Sequence, residues 1–449
     1  MTRDLTEGKE LPLILTFMLP LLLGMLFQQF YNVTDSIIVG HYLGKGALAA
    51  TGSTGSIVFL IVGFANGLSS GFAIPVSQRF GARDETNLRR FAGSSLLLSA
   101  LFAVVLTTLS VVFCRRILTV MRTPADIIDD AYAYLVVILA GIPATIYYNL
   151  LSGFIRALGD SRTPVVILAI SSVINIVSTA ALVFLTPIGV AGAAIATVLS
   201  QIVSCILSWS HIRRRLPLLR LTRADLRPTP LHLNGLLRNG VPMGLQYSIT
   251  AIGTVVLQAA VNSLGSDAVA SATAAGKVGV FFTCVFEALG STMATWGGQH
   301  VGAGKILRIR SGVRICLGIG FVYSVVCVVL FWLWGETLSA LFIDVGETAV
   351  LRDARRMLLA NSVCYPLLTL VNVVRFMIQG MGFGRLAMIA GLMEMVARTA
   401  VGFALVPAIG FLGACFASPA AWIMADLFLI PAYFRCYRTL EKILPPAAA

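Results

Sequence analysis

Charged side chains are scarce in this sequence, and their scarcity argues against a water-soluble protein. Asp, Glu, Lys and Arg make up 12% of the 449 residues, whereas soluble domains carry about 25%. Hydrophobic residues make up 57% of the chain, and its mean hydropathy is +0.89. So little polar surface could not cover a folded chain of this length in water. We therefore expect a lipid bilayer to be its solvent.

Residue groups with the spacing of metal ligands are also missing. The four histidines and eight cysteines are scattered singly, so we expect no metal site. No P-loop is present, and Gly380, Gly382 and Gly384 join two apolar runs without a preceding strand, which argues against a nucleotide site. No serine, histidine or metal constellation marks a membrane face. The sequence therefore predicts a protein without cofactors that is not an enzyme.

The apolar runs that fill the chain are about 20 to 30 residues long, which is the length of a membrane-spanning helix. Lipid offers the backbone no hydrogen bonds, so such runs must be helical. The first run is too long for a signal peptide and lacks a small-residue cleavage site, so we interpret it as a retained helix. We predict an all-α integral membrane protein with twelve transmembrane helices, near residues 11–40, 46–77, 88–113, 128–152, 163–185, 189–211, 234–264, 268–299, 309–334, 351–378, 386–407 and 411–436.

An internal repeat divides the predicted helices into two sets of six. Residues match at an offset of 221 positions across most of both halves, which indicates a duplication. The matching pairs include Leu43 with Leu264, Gly44 with Gly265, Gln78 with Gln299, and Gly189 with Gly410. Since six is even, both halves should share one topology, with two lobes related by a pseudo-two-fold axis along the membrane normal. The predicted domains are an N-terminal lobe at 1–211, a basic linker at 212–233 and a C-terminal lobe at 234–449.

Basic residues are distributed unevenly between the two sides of the predicted membrane protein. Most of the 33 Lys and Arg lie on the side that carries both termini and the central linker. The positive-inside rule makes this side cytoplasmic. We therefore predict a multi-pass protein of the cell (inner or plasma) membrane with both termini in the cytoplasm. Phospholipid headgroups then account for the net charge of +13, and no nucleic acid partner is expected.

Four acidic residues lie inside apolar runs, where an ionised carboxylate costs about 2.5–3.5 kcal/mol on insertion scales. Asp35 has no basic residue within a helical turn, and its polar neighbours suit a proton or sodium site. Glu394 and Arg398 are four residues apart on one helix face, so they form either a structural ion pair or part of a substrate site. Glu287 is a candidate cavity residue, and we interpret Asp426 as a helix-packing residue.

Several short segments occur in a distinctive order over nearly the whole chain. They are YNVTD from Tyr31 to Asp35, the 78–82 exit of the second helix, MATWGGQHVGA at 293–303, RALGDSRTP at 156–164, and Glu394 with Arg398. In their order and spacing the chain resembles the multidrug and toxic compound extrusion (MATE) family. That family exports organic cations and other amphipathic drugs in exchange for protons or sodium.

The resemblance also implies a coupling site in the N-terminal lobe. Similar family members use a carboxylate on helix 1 together with polar groups on helices 4, 5 and 6. The corresponding residues here are Asp35, Asn149, Asn175 and Thr197, with Tyr134 as a neighbour. Some relatives carry a second aspartate where this chain has Thr179, so the chain departs from the two-carboxylate form of the site.

The function implied by the resemblance is secondary active efflux, driven by an inward gradient of protons or sodium. The expected partners are amphipathic or cationic small molecules, the coupling ion and the lipid bilayer, and the protein is expected to be a monomer. The alternative is a flippase for lipids or lipid-linked saccharides, whose phosphate-bearing cargo would favour a cavity lined by many arginines. Only Lys277, Arg375 and Arg398 fall within predicted spans, against four acids, which favours cationic cargo.

Overall fold

The computed structural model describes residues 4–121, 123–344 and 346–444, and throughout these ranges the regular structure is helical. The α-helices are α1 Glu10–Tyr42, α2 Gly44–Gly81, α3 Glu85–Val120, α4 Ile128–Ala140, α5 Ile142–Ala157, α6 Arg162–Leu185, α7 Val190–Arg215, α8 Pro230–Asn262, α9 Ser266–Gly302, α10 Ile306–Ser339, α11 Thr348–Val363, α12 Tyr365–Gly380, α13 Gly384–Ala400, α14 Val406–Ile409, α15 Phe411–Cys415 and α16 Ala417–Ile443. A 3-10 turn at Pro217–Leu219 follows α7, and a π-helical turn at Val401–Leu405 joins α13 to α14.

Ten helical segments in the described ranges are long and apolar enough to cross a membrane. Two bent helix pairs, α4 with α5 at 43° and α11 with α12 at 52°, bring the number to twelve when each pair is counted as one span. The predicted all-α membrane fold is thus confirmed. The helices predicted at 128–152 and 351–378, whose interior prolines Pro143 and Pro366 are expected to kink them, are each divided into two by such a bend. Pro143 and Pro366 each lie in the first turn of a new helix, where a missing backbone N–H costs little.

The helices group into two compact units. Unit 1 contains Leu19–Ser248, and unit 2 contains Leu5–Met18 and the chain from Ile249 onward. The helices α1 and α8 therefore each contribute their two ends to different units. The basic stretch at 212–233 is grouped with unit 1, so the packing boundary lies inside α8. The lobe boundary at 212–233 refers to the sequence repeat and stays a prediction.

Close helix contacts in unit 1 depend on glycine. A Cβ atom on Gly71 of α2 would lie 2.5 Å from the Cα atom of Gly240 on α8, and one on Gly240 would lie 2.3 Å from the ring of Phe72. Only the absence of a side chain allows backbones to approach this closely in a membrane protein. The start of α8 is therefore held against α2, and Phe72 and Phe154 lie in the adjoining buried cluster.

Unit 2 is built in a similar way around α9 and α12. A Cβ atom on Gly380 would lie 2.4 Å from the backbone oxygen of Ala294, so these helices are in backbone contact. Trp296 is fully buried and donates its indole N–H to the Arg308 carbonyl at 3.0 Å. The N-terminal segment is attached to the same region, because the Leu5 N–H donates to the Gln299 side chain at 2.9 Å.

Candidate functional site

Unit 1 contains a cavity of about 560 Å³ lined by α1, α2 and α4 to α7. Much of its lining is polar, although every one of these helices is largely apolar. The polar lining includes Tyr31, Asp35, Tyr134, Tyr148, Asn149, Arg156 and Thr197. Asp35 is the one carboxylate and Arg156 the one basic side chain among the described residues that line the cavity. A polar cavity inside a membrane helix bundle is a default candidate for a binding site.

Asp35 is held in the cavity by α1 and by a hydrogen bond from α6. The hydroxyl of Thr179, which is fully buried, donates to Asp35 Oδ1 at 3.1 Å. No ion pair to Asp35 is found within the part of the chain that the structure describes. Thr179 therefore supplies a neutral hydroxyl to the site, and Asp35 is its one acidic group among the described lining residues.

Asn175 and Thr197 form the next layer of the site. The Asn175 side-chain N–H donates to the Thr197 hydroxyl at 3.4 Å, and that hydroxyl donates to the Ala193 carbonyl at 3.1 Å. Asn175 is 1% exposed, and its Oδ1 atom is buried without a hydrogen-bond partner in the described ranges. A buried carbonyl oxygen with spare lone pairs is an acceptor available to a cation or to a proton donor.

Asn149 and Tyr134 line the same cavity from α5 and α4. Asn149 donates to Asn66 Oδ1 at 2.9 Å and to the Thr145 carbonyl at 2.8 Å, so its own Oδ1 points away from these bonds as an acceptor. Of the residues predicted from the sequence, Asp35, Tyr134, Asn149 and Thr197 therefore line the cavity. Asn175 and Thr179 do not line it, and each is hydrogen-bonded to a residue that does.

Arg156 was not among the predicted site residues, although it lies in the motif at 156–164. It is in the last turns of α5, and side chains of a helix lean back toward its N-terminus, which directs this arginine into the cavity. Its guanidinium donates to Ser152 at 3.3 Å. Helix position combined with side-chain direction could have revealed it in the sequence. The cavity thus offers both an acidic and a basic group.

Charged residues of unit 2 form a buried ionic cluster, whereas one acid and one arginine of unit 1 line a cavity. Glu394 lies between two arginines: it pairs with Arg375 of α12, and its Oε2 is 3.5 Å from Arg398 of its own helix. Glu394 and Arg375 are 3% and 7% exposed. The predicted pair of Glu394 and Arg398 is therefore present, but Arg375 is an additional partner. Glu287 lies apart, with an exposed side chain, and Asp426 is buried on α16.

Comparison with known proteins places these features in a family. The MatE family model matches residues 20–181 and 242–404, which covers both halves of the repeat. The probable multidrug resistance protein YoeA of Bacillus subtilis is 28% identical over 358 residues, which are 78% of this chain and 77% of that protein. An FAD transporter of Shewanella oneidensis is 22% identical over 73% of this chain and 74% of its own length.

A solved structure has the same fold. It is described as the outward-facing conformation of a multidrug resistance MATE family transporter of the MOP superfamily. The TM-score is 0.90 at 23% sequence identity, with 98% of this chain and 99% of that chain covered. Identity at this level supports the shared fold, and the roles of individual residues have to be argued from the geometry of this chain.

Proposed function

The chain belongs to the MatE family of multidrug efflux transporters, and from this premise we propose that it exports amphipathic cations in exchange for protons or sodium. The observation that carries the proposal is the position of Asp35. It is the lone carboxylate in a polar cavity within the membrane-spanning part of unit 1, hydrogen-bonded to the buried hydroxyl of Thr179.

The proposed role of Asp35 is to bind the coupling ion. A carboxylate retained inside a membrane helix is costly unless it is used or compensated, and Asp35 forms no ion pair in the described structure. Oxygen atoms from Asp35, Asn149 and Asn175 are ligands of the kind that sodium takes, and the carboxylate alone can carry a proton. Either ion would neutralise the site.

Neutralisation of Asp35 can drive transport only under one thermodynamic condition. The ion must bind more tightly in one conformation of the transport cycle than in the other, since a ligand bound equally in both shifts no equilibrium. Thr179 is suited to this task, because its hydroxyl can donate to an ionised carboxylate and accept a hydrogen bond from a protonated one. We propose that this bond is made and altered as the ion enters and leaves.

The proposed cargo follows from the other residues of the cavity. Tyr31, Tyr134 and Tyr148 line it together with Asp35, so aromatic faces and a negative charge are offered to the same ligand. Organic cations are attracted by both features.

We propose that the protein works as a monomer in the cell membrane.

One observation favours the alternative of an anionic cargo. Arg156 lines the cavity, and guanidinium groups bind phosphate well. The similarity to a protein described as an FAD transporter points the same way. We rank a lipid or lipid-linked saccharide flippase second, because Asp35 lies in the same cavity and would repel an anion whenever it is ionised.

The test is gradient-driven efflux of an organic-cation dye from proteoliposomes, with proton and sodium gradients applied separately. We expect Asp35→Asn to bind dye but to lose gradient-driven transport, and Thr179→Val to retain transport with an altered dependence on the ion concentration. Thr34→Val is the matched control, because the Thr34 hydroxyl donates to the Phe30 carbonyl on the same helix, whereas the Thr179 hydroxyl donates to Asp35.

Transport by Asp35→Asn at the wild-type rate and with the wild-type ion dependence would refute the proposed coupling role. The flippase alternative makes a different prediction. The protein would then transport a phosphate-bearing lipid analogue and not the dye, and this transport would be lost in Arg156→Gln and kept in Asp35→Asn.

A further inference from the structure

A second cavity, of about 480 Å³, lies in unit 1 where α7 ends and the basic stretch begins. We name it the α7 pocket. Its lining consists of Trp209, Ile212, Arg213, Leu219, Arg220 and Leu221. No residue of the α7 pocket belongs to the cavity that contains Asp35, so the two sites are distinct.

The α7 pocket combines an apolar floor with a cationic rim. Ile212 and Leu219 are 4% and 5% exposed and form the buried part of the lining. Arg213 and Arg220 are both exposed, and neither has an ion pair or a side-chain hydrogen bond in the described ranges. Two guanidinium groups therefore face one apolar cavity without a protein anion to balance them.

Acidic residues that might balance them are engaged elsewhere. Asp225 is the one acid in the 212–233 stretch, and its carboxylate accepts two bonds from Thr222, at 2.8 Å from the backbone N–H and 2.7 Å from the hydroxyl. Asp160 lies beside His211, with 3.8 Å between the carboxylate and the ring nitrogen. The positive charge of the α7 pocket is therefore open to an external anion.

The position of the α7 pocket defines the kind of anion. The helix α7 is long and apolar enough to span the membrane, and its last turn carries Arg213, Arg214 and Arg215. Trp209 lies one turn earlier, and 45% of it is exposed. Tryptophan followed by arginines is the typical sequence of the border between hydrocarbon and headgroups. The pocket is thus at the depth of lipid phosphate.

We propose that the α7 pocket binds the phosphate of an anionic phospholipid. Arg213 and Arg220 contact the phosphate oxygens, since a guanidinium group matches them with two parallel N–H donors. Trp209 and Leu221 contact the start of the acyl chains, which a soluble phosphate ion lacks. The inference requires only that the protein is embedded in a membrane, so it is independent of the proposed transport mechanism.

The experiment measures quenching of Trp209 by brominated lipids in the detergent-solubilised, full-length protein. Fluorescence of Trp209→Phe is subtracted from that of the parent in each background, which isolates the signal of Trp209 from the other four tryptophans. Brominated phosphatidylglycerol is titrated against brominated phosphatidylcholine. We expect half-maximal quenching at a concentration about tenfold lower for the anionic lipid, and we expect this preference to be lost in the double variant Arg213→Gln with Arg220→Gln.

The matched control is Arg214→Gln with Arg215→Gln, which removes the same charge from neighbouring positions outside the α7 pocket. We expect it to keep the preference. Equal quenching by the two lipids would overturn the proposal. An equal loss of the preference for the anionic lipid in both double variants would also overturn it, because the basic stretch would then attract the lipid through its overall charge. Displacement of the lipid by millimolar inorganic phosphate would overturn it in favour of a free-phosphate site.

If the double glutamine variant does not fold, Arg213→Lys with Arg220→Lys is the alternative. It keeps the charge and should weaken the preference for the anionic lipid, because lysine cannot form two parallel hydrogen bonds to a phosphate.

Discussion

Glu394 is an acidic residue buried in the membrane-spanning part of unit 2. Its carboxylate is buried between Arg375 and Arg398, so one negative charge faces two positive charges. Asp426, also buried, is a further acid in unit 2, on the helix α16 that packs against α12 and α13. We propose from this arrangement that the Glu394 and Arg398 pair has a structural role.

Glu394→Gln should destabilise the protein strongly. The change leaves Arg375 and Arg398 buried without their shared counter-charge, and breaking a buried pair in this way costs about 3–5 kcal/mol. We expect a lower thermal unfolding temperature in detergent and a lower yield of monodisperse protein. Glu287→Gln is the control, because the Glu287 side chain is exposed and has no ion pair in the described ranges, and it should unfold like the wild type. An unchanged unfolding temperature for Glu394→Gln would contradict the structural role.

The partner of Glu394 also shows where sequence reasoning reached its limit. Arg398 could be predicted, because residues four apart share a helix face. Arg375 could not, because it lies on α12 and meets Glu394 only through the packing of α12 against α13. The same limit applies to Thr179 and Asp35, which are hydrogen-bonded across 144 residues of sequence. Family resemblance supplied the candidates for that site, and the geometry supplied their connections.

Asp84 stabilises the start of α3 outside the membrane-spanning segments. The Asn87 side chain, donating to Asp84 at 2.7 Å, lowers the pKa of that carboxyl. Burial opposes the change, and the Asn87 backbone N–H and Arg79 add to the lowering. A carboxyl whose pKa is lowered by folding contributes stability above its unfolded pKa and loses that contribution as the pH falls through its folded pKa.

Asp84→Ala should therefore lower the free energy of unfolding by about 1 kcal/mol at neutral pH, as is typical for the loss of a helix N-cap. The difference from the wild type should shrink as the pH falls below about 4, because the carboxyl of the unfolded chain takes up a proton there while the folded carboxyl, whose pKa is lowered, stays ionised to lower pH. Thermal unfolding of both proteins at pH 7 and near pH 3.5 measures this. Asp126→Ala removes an exposed carboxylate between α3 and α4 and should have little effect at either pH. A difference that does not depend on pH would argue against the ionised cap.

At the scale of elements, the repeat is visible in backbone conformation as well as in sequence. Gly189 has φ 63° and ψ −138°, and Gly410, which lies 221 residues later, has φ 64° and ψ −140°. Gly44 and Gly265 match in the same way, with φ 84° and 101°. Such conformations are strained for any residue with a side chain. The glycines thus fix the breaks before corresponding helices in the two halves.

The corresponding turn after α2 and α9 is an exception, because one half uses a different residue. Gly304 has φ 69°, whereas the equivalent position in the first half is Arg83, with φ 56°. We expect Gly304→Ala to cost about 1–2 kcal/mol, since alanine is strained in this conformation. Arg83→Gly should be neutral or slightly stabilising.

The control for Gly304→Ala is Gly318→Ala. Gly318 lies within α10, and a Cβ atom added there would meet no atom within 4 Å. Alanine should stabilise that helix by about 1 kcal/mol relative to glycine. Thermal unfolding of the three variants in detergent distinguishes the cases. Equal responses of the two glycine positions would show that the positive φ angle is not a constraint.

At the scale of the whole molecule, the two halves have similar helices but differ in the polar and charged residues that these helices carry. Helices α5 and α12 have 16 residues each, and both carry proline in the first turn. Asn149 and Asn372 occupy equivalent positions, and each donates to the carbonyl four residues earlier. One turn later, however, Ser152 corresponds to Arg375. Unit 1 therefore has a polar cavity with one carboxylate, whereas unit 2 has a buried ionic cluster.

The sequence was sufficient to predict this architecture but not its details. Long apolar runs and a constant offset predicted twelve helices in two similar halves, because both signals are spread over many residues. Kinks were expected at Pro143 and Pro366, but the sequence did not show that a new helix begins at each, because a proline in the first turn of a new helix resembles a proline inside a long one. The residues that line the Asp35 cavity were predicted only where the family resemblance indicated them. Arg156, which also lines that cavity, was not predicted.

The distribution of basic residues makes a final prediction about the orientation of the whole chain. The arginines at 79, 83, 89 and 90 and those of the 212–233 stretch should be cytoplasmic, and the turn between α3 and α4 should be outside. Cysteines introduced at Ala224 and Asp126, both exposed, test this with an impermeant maleimide on intact cells. We expect Asp126→Cys to react and Ala224→Cys to react only after permeabilisation. The eight native cysteines are buried or partly buried, so the unmodified chain gives the background. Labelling of Ala224→Cys from outside would reverse the orientation, and with it the direction in which an inward ion gradient could drive export.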